Sequence, residues 1–527
     1  MDRRTFLGGA AAAGLTVTTT AACDTDGNGN GNGNGTGSGS GSGKNSGPSA
    51  TASPTRGSAP ADWTALARSL DGTLVRPGDA DWEPARQLYN TRFDSLRPAA
   101  VAYAAHADDI RTALAYARAH GVRPAIRGGG HSYAGWSSGD DRLIIDVAEL
   151  NGVRASGGEA VVGAGARLID VYRALSAQGV TVPAGSCPTV GIGGLALGGG
   201  HGVVSRAYGL TCDSLTGATL ITAAGEQLTA DADEHPDLFW ALRGAGNGNF
   251  GVVTELRFRT HAAPQGVTAY LTWPWARAAE VVGAWQEWGP DQPDEIWSSL
   301  HLESADGATP TVAVSAFSLG TYGELQNAVD RLADRIGTPA SGVSLNRHTY
   351  EETMEAYAGC ASFASDARCH LPGTVPGRSP EGALGRETYA ARSDFFERSL
   401  SAAGIDTLLS QVRSVRGGTG TVAFTALGGA VNRVSPTATA FVHRRSRTLA
   451  QYLVSWPAGE SGAAGRSWLA AAHTALRPHA SGAAYQNYPD PDLTDWRTAY
   501  YGDAAPRLAK VKRRYDPDRL FTWPQAL

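Results

Sequence analysis

Two stretches of this 527-residue chain pair reactive side chains with backbone that a ligand can approach closely. The first is Arg127-Gly128-Gly129-Gly130-His131-Ser132-Tyr133-Ala134-Gly135. Three successive glycines carry no Cβ, so peptide N–H groups in a tight turn can face an anion, and Arg127 offers a bidentate phosphate partner. His131 follows that loop directly, beside whatever the phosphates belong to. The second stretch is Gly185-Ser186-Cys187-Pro188-Thr189-Val190-Gly191-Ile192-Gly193-Gly194-Leu195-Ala196-Leu197-Gly198-Gly199-Gly200-His201-Gly202. It is too rich in glycine for a helix or an ordinary strand, and reads as backbone laid against a large flat ligand.

Elements that would position these loops are legible around them. Pro98 to Tyr103 is strand-like. Asp108 to His120 has helical periodicity, with Ile110, Leu114 and Ala117 on one face. Val122 to Ile126 is a strand that feeds the first glycine loop. Asp141 to Val147 and Ala160 to Ala164 read as further strands, and Leu168 to Gln178 as a helix capped by Gly179. A helical Leu238-Phe239-Trp240 is assigned to packing. It leads through a turn at Gly246 to Gly251 into a strand over Val252 to Arg259, and the backbone amides of Asn249 to Val252 are candidate ligand contacts.

Together the two glycine runs resemble the berberine-bridge-enzyme-like branch of the vanillyl-alcohol-oxidase / p-cresol-methylhydroxylase flavoproteins. The resemblance implies bicovalent FAD, linked through His131 in the R-G-G-H-S-type loop and through Cys187 in the G-x-C-P-T-V-G loop. It assigns cofactor contacts to Arg127, Gly128, Gly129, Gly130, Ser132, Val190, Gly191, Gly194, Gly198 and Gly199. The second phosphate loop adds Gly248, Asn249, Gly251, Val252 and Val253. The implied fold is α+β, with a two-part FAD-binding domain of the p-cresol-methylhydroxylase type over 62–261. A substrate domain over 262–483 would carry an antiparallel sheet backed by helices, and 484–527 would return to the FAD domain.

That last segment carries Tyr485-Gln486-Asn487-Tyr488. In alcohol-oxidising relatives the second tyrosine is the base, which makes Tyr488 the candidate base, Tyr485 its hydrogen-bond partner and Asn487 a flavin-holding or loop-orienting residue. Hydride transfer from an alcohol needs a group that takes the hydroxyl proton. A phenol titrates near pH ~10, so the site would have to favour the phenolate. In related enzymes the residue three after the flavin-linked cysteine controls oxygen access, so the resemblance makes Val190 the permissive small type and implies peroxide release. Leu195 stands where many plant relatives carry His, which weakens transfer of their ring-closing chemistry. The expectation is an oxidase acting on an alcohol or sugar hydroxyl. The alternatives are a tailoring oxidase or dehydrogenase for a glycosylated or alkaloid-like metabolite, and a flavin-carrying binding protein with little turnover. In the substrate region most of the Trp and Tyr residues are assigned to the core, and His443 to a structural role.

Elsewhere the chain speaks to compartment. Arg3-Arg4 followed by a short Ala/Gly/Leu run reads as a twin-arginine export signal over 1–23, too short to anchor as a membrane helix. Export in the folded state suits an enzyme that must first acquire FAD. Ala21-Ala22-Cys23 fits a lipoprotein processing site, with Thr20 where such boxes carry an aliphatic residue, so lipidation at Cys23 stays open. Residues 24–61 are Gly/Asn/Ser-rich and read as a flexible tether. Cys360 and Cys369 could close a small disulfide loop, and Cys212 reads as a buried thiol. A net charge of −5 without a basic patch points away from nucleic acid, and no metal site is expected.

Overall fold

The computed structural model describes residues 61–527; the predicted signal, Cys23 and nearly all of the predicted tether lie outside them. A small sheet holds the first glycine loop. Its strands run in the order Leu74–Val75, Ala100–Tyr103, Leu143–Asp146 and Pro124–Arg127, with the last three mutually parallel. The crossover helix Ala107–His120 buries Ile110, Ala113, Leu114 and Ala117, and ends at Gly121 in the left-handed conformation, φ 67°. Because Pro124–Arg127 is buried and parallel, residues 128–132 emerge at its carboxyl end, the usual location of ligand loops in such sheets.

A five-stranded antiparallel sheet, in the order Val153–Ser156, Glu159–Gly163, Gly251–Arg259, Leu215–Thr222 and Gln227–Asp231, packs into the same core. The helix Leu168–Ser176 buries Leu168, Val171, Tyr172 and Leu175 in that core, and Ile169 on another side with Cys360 and Cys369. One expectation fails here: the second glycine run contains the short helix Ile192–Leu197. Tertiary contact outweighs glycine's poor propensity, because a Cβ on Gly193 would lie 2.6 Å from the Ala164 carbonyl oxygen, to which the Gly193 N–H donates at 3.1 Å. The glycine lets this helix dock on its neighbour's backbone.

The other half is a seven-stranded antiparallel sheet in the order Gly342–His348, Gly266–Trp273, Thr311–Ser318, Ile296–Ala305, Thr419–Ala426, Thr448–Ser455 and Tyr389–Phe396. Alternation gives it two faces. Leu300, Leu302, Val314, Val422 and Val454 pack with residues of the helices Ala278–Trp288, Tyr322–Ile336, Ala402–Arg413 and Ala463–Leu476, Trp285 and Trp288 included. On strand 296–305 the residues between, Trp297, Ser299 and His301, face the first half. The mixed α+β architecture with a helix-backed antiparallel sheet is therefore as expected.

The C-terminal segment is pinned to the first half. Lys512, in the helix Ala505–Tyr515, donates to the Asn249 and Phe521 carbonyls, both at 2.7 Å, and pairs with Asp516. Cys360 and Cys369 are joined as a disulfide with Cα atoms 5.6 Å apart, and Cys212 is buried. Among the described residues no helix is long and apolar enough to cross a membrane.

Candidate active site

The two halves enclose a cavity of about 390 Å³. Both glycine runs reach its wall, and they do so by packing on each other. A Cβ on Gly129 would lie 2.3 Å from the Gly191 nitrogen, and one on Gly191 would lie 2.5 Å from the Gly129 nitrogen. These two glycines therefore serve a backbone-to-backbone crossing that no side chain could enter. Gly128 and Gly194 have room on the Cβ side, Gly194 with nothing within 4 Å. Among the described residues the N–H groups of Gly129, Gly130 and His131 donate to no protein backbone acceptor, which leaves them for an anion.

The crossing brings His131 and Cys187 together. His131 Nε2 lies 2.8 Å from Thr189 Oγ1, and its Nδ1 faces Cys187 Sγ at 4.0 Å. Tyr89 stacks on the imidazole at 4.1 Å. Burial, helped by the Arg167 charge, pushes the His131 pKa down to about 3, so the ring is neutral, with Nε2 at Thr189 and Nδ1 on the side of Cys187. The arrangement suits covalent attachment of FAD by these two side chains, and the open backbone at Gly128 and Gly194 suits a flat ring beside them.

Tyr488 stands at the other end of the reactive wall. Its hydroxyl is 2.8 Å from His201 Nε2, Tyr133 stacks on its ring at 4.9 Å and 7°, and Tyr485 meets it edge-on at 4.9 Å. Tyr485 is buried among Phe395, Phe441 and Leu449. Its hydroxyl accepts from the Gly200 N–H and from Asn487 Nδ2, both at 2.8 Å. Gly200 adopts φ +79°, a conformation that favours glycine, and so presents its N–H to the phenol. Asn487 also donates to the Leu195 carbonyl and accepts from Asn247 Nδ2, each at 2.9 Å, locking the second glycine run to the tail. Tyr133 in turn accepts from Gln451 Nε2 at 2.7 Å, tying the stack to the seven-stranded sheet.

The expected support for a phenolate is not there. Burial pushes the pKa of both Tyr485 and Tyr488 well above its ordinary value. Among the described lining residues the one permanently charged side chain is Arg142, held by the Pro124 carbonyl at 3.0 Å in the Pro124–Trp136 part of the wall. Trp297, Ser299, His301, Ser315, Thr425 and Gln451 form the sheet-side roof, polar but uncharged, with burial pushing His301 down to about 4.

Four of the residues assigned to cofactor contact lie elsewhere. Arg127 is buried, salt-bridged to Asp146, and does not line the cavity. A Cβ on Gly198 would lie 2.0 Å from Asn487 Oδ1, and one on Gly199 3.0 Å from Phe441, so both glycines make room for protein. Val252 is core on the strand Gly251–Arg259. Ser132, Val190, Gly248, Asn249, Gly251 and Val253 do reach the cavity wall, although the Asn249 side chain is engaged with the Ala245 carbonyl and the Leu527 N–H. His443 bonds the Tyr500 carbonyl at 3.0 Å and stacks on Phe395, a packing role. His201 was missed, although Gly198-Gly199-Gly200-His201 repeats the Gly128-Gly129-Gly130-His131 word and that echo was a usable signal.

A family model described as "FAD binding domain" matches residues 98–231, and one described as "Berberine and berberine like" matches 484–527. The chain is 32% identical to the FAD-linked oxidoreductase YgaK of Bacillus subtilis, over 87% of this chain and 97% of that one. It is 31% identical to a chitooligosaccharide oxidase of Gibberella zeae, over 85% and 91%. The solved structure of Physcomitrella patens BBE-like 1 superposes with a TM-score of 0.79 at 30% identity, over 88% of this chain and 98% of that one.

Proposed function

The chain belongs to the berberine-bridge-enzyme-like FAD-linked oxidoreductases of the vanillyl-alcohol-oxidase / p-cresol-methylhydroxylase superfamily, and on that premise we propose that it oxidises a hydroxyl of a neutral polyhydroxylated substrate, a sugar or oligosaccharide, with O2 as the final acceptor and H2O2 as product. The observation that carries the reading is the lining around Tyr488: several hydrogen-bonding groups, aromatic faces from Trp297, Tyr133 and Tyr389, and no carboxylate among the described residues. A cationic amine in such a wall would lack a counter-charge, and burying an unpaired ion is expensive. Neutral hydroxyls would find donors and acceptors. The likeness to a chitooligosaccharide oxidase supports the same substrate class.

Bound FAD would supply the hydride acceptor. His131 and Cys187 would hold it covalently, and the free N–H groups of residues 129–131 would meet phosphate or ring oxygens. Tyr488 would receive the hydroxyl proton, with Tyr485 and Tyr133 fixing its ring. The small Val190 would leave O2 a path. The twin arginines at 3–4 and a disulfide outside the flavin loop support an exported enzyme.

Anaerobic mixing with neutral oligosaccharides, uronic acids, amino sugars and aromatic amines tests the class. Neutral sugars are expected to bleach the flavin band, with colour and peroxide returning in air; bleaching by amines alone would overturn the reading. For the linkage, His131→Ala and Cys187→Ala are each expected to retain flavin through acid precipitation, and only the double variant to release it.

A further inference from the structure

The wall around Tyr488 leaves its proton one destination. Tyr485 Oη already accepts two hydrogen bonds, Tyr133 presents its ring face, and among the described residues no Asp, Glu, Lys or Arg lines the cavity on this side. The remaining polar neighbour is His201, whose Nε2 lies 2.8 Å from Tyr488 Oη and whose Nδ1 is buried without a partner. His201 is carried by a turn fixed on both sides. Gly200 beside it donates to Tyr485 and accepts from the Thr211 N–H at 2.9 Å, and the N–H of Gly202 donates to Ser205 Oγ at 2.8 Å.

We propose that His201 is the terminal proton acceptor of the oxidation, and that Tyr488 acts as a relay which is never required to be a phenolate. The proposal rests on the reading of this site as an alcohol oxidase. The substrate O–H and C–H bonds break and a C=O bond forms, with bound FAD accepting the hydride. The hydroxyl proton bonds to Tyr488 Oη while the phenol's own proton passes to His201 Nε2. Tyr488 therefore stays neutral, and His201 carries the positive charge until reoxidation, when O2 would leave as H2O2 with the two electrons and the proton of the transferred hydride and the proton held on His201. A neutral imidazole is needed at the start. Burial provides it by pushing the His201 pKa down to about 4, and the titratable rings facing it are Tyr485 and Tyr488. This resolves how a phenol with no cation beside it can act as a base.

His201 is thus a positioning residue with a proton-accepting role, and His201→Gln separates the two. Glutamine can hold Tyr488 by a hydrogen bond but cannot take its proton. Stopped-flow flavin reduction in the holoenzyme is expected to slow by about 10²–10³-fold at pH 7, a range typical of a lost proton acceptor. Substrate binding should be little changed, and the rate should now climb with pH as ionised Tyr488 becomes necessary. A His201→Gln reduction rate within a fewfold of wild type, with an unchanged pH profile, would overturn the proposal. So would ¹⁵N-histidine NMR of the resting wild-type holoenzyme at pH 7 showing the imidazole proton on Nε2, a readout independent of turnover and of any variant's folding. Tyr488→Phe separates the two levels: if it reduces normally, the assignment of this site fails before the relay is in question.

Discussion

The word Gly-Gly-Gly-His occurs at 128–131 and again at 198–201, and the two copies do different work in one cavity. In the first copy the middle glycine crosses the backbone of Gly191, and His131 is anchored through Nε2 to Thr189, leaving Nδ1 toward Cys187. In the second copy the first glycine makes room for Asn487, the third points its N–H at Tyr485, and His201 uses Nε2 on Tyr488. On the proposed reading one histidine holds the cofactor and the other serves the base. Both are kept neutral by burial, with pKa values pushed down to about 3 and about 4. The same four residues differ in their surroundings because of what lies across from them: the sulfur of Cys187 in one case, the phenol of Tyr488 in the other.

Tyr488→Phe is the sharpest way to break this contrast. It removes the group that His201 serves, and flavin reduction by substrate is expected to fall by about 10³–10⁴-fold with the flavin still attached. Stopped-flow reduction by substrate, with dithionite as a control for flavin competence, reads it. Loss of the flavin itself would mean that the second copy also holds cofactor.

The glycines give a smaller effect that differs in kind. A methyl group on Gly129 would meet three backbone atoms of residues 189–191 at 2.3–3.0 Å, and backbone there cannot move without opening the crossing. Gly129→Ala is expected to cost about 1–3 kcal/mol or more and to lower flavin loading. A methyl group on Gly198 would meet the amide ends of Asn487 and Asn247, which can shift. Gly198→Ala should cost about 1 kcal/mol, at the low end of overpacking, and show mainly as slower reduction through a displaced Tyr485. Thermal melts and flavin-to-protein absorbance ratios distinguish them, and equal losses of stability would erase the distinction.

How much of this was legible follows from where each partner sits. His131 and Cys187 lie in dense local words, and the strand before and the helix after the first loop carry clear periodicity, so the holding half could be read directly. The repeated word marks His201 as a candidate, but its pairing with Tyr488 is not readable, because the two lie 287 residues apart and only the fold brings them together. The roof is equally hidden: Ser299, Ser315, Thr425 and Gln451 lie on four strands that each carry other polar residues, and nothing in the sequence sets them apart. Arg127, Gly198 and Gly199 were assigned to cofactor because a sequence shows that a Cβ is missing, or that a charge is present, but not what occupies the space opposite. Glycine that admits a ligand and glycine that admits Asn487 are spelled alike.

The smallest effect is the pH dependence of stability, and it separates the two histidines once more. His201 has a folded-state pKa depressed to about 4, below the ~6.5 of an unfolded histidine. The unfolded chain therefore binds the extra proton first. Stability is full above the unfolded value and falls as pH drops toward 4, with a slope of about 1.4 kcal/mol per pH unit for one such group. His301 and His443, also pushed down by burial, add to the same decline, so the contribution of His201 is read as a difference. Chemical denaturation of wild type and His201→Gln between pH 7 and 5 should show the variant losing less, by about 2 kcal/mol at pH 5. His131→Gln should give a comparable relief only in protein prepared without flavin, because an imidazole bonded through Nδ1 no longer titrates as a free one. Equal relief in flavin-loaded protein would show His131 to be unattached, and the two Gly-Gly-Gly-His words to be less different than their partners suggest.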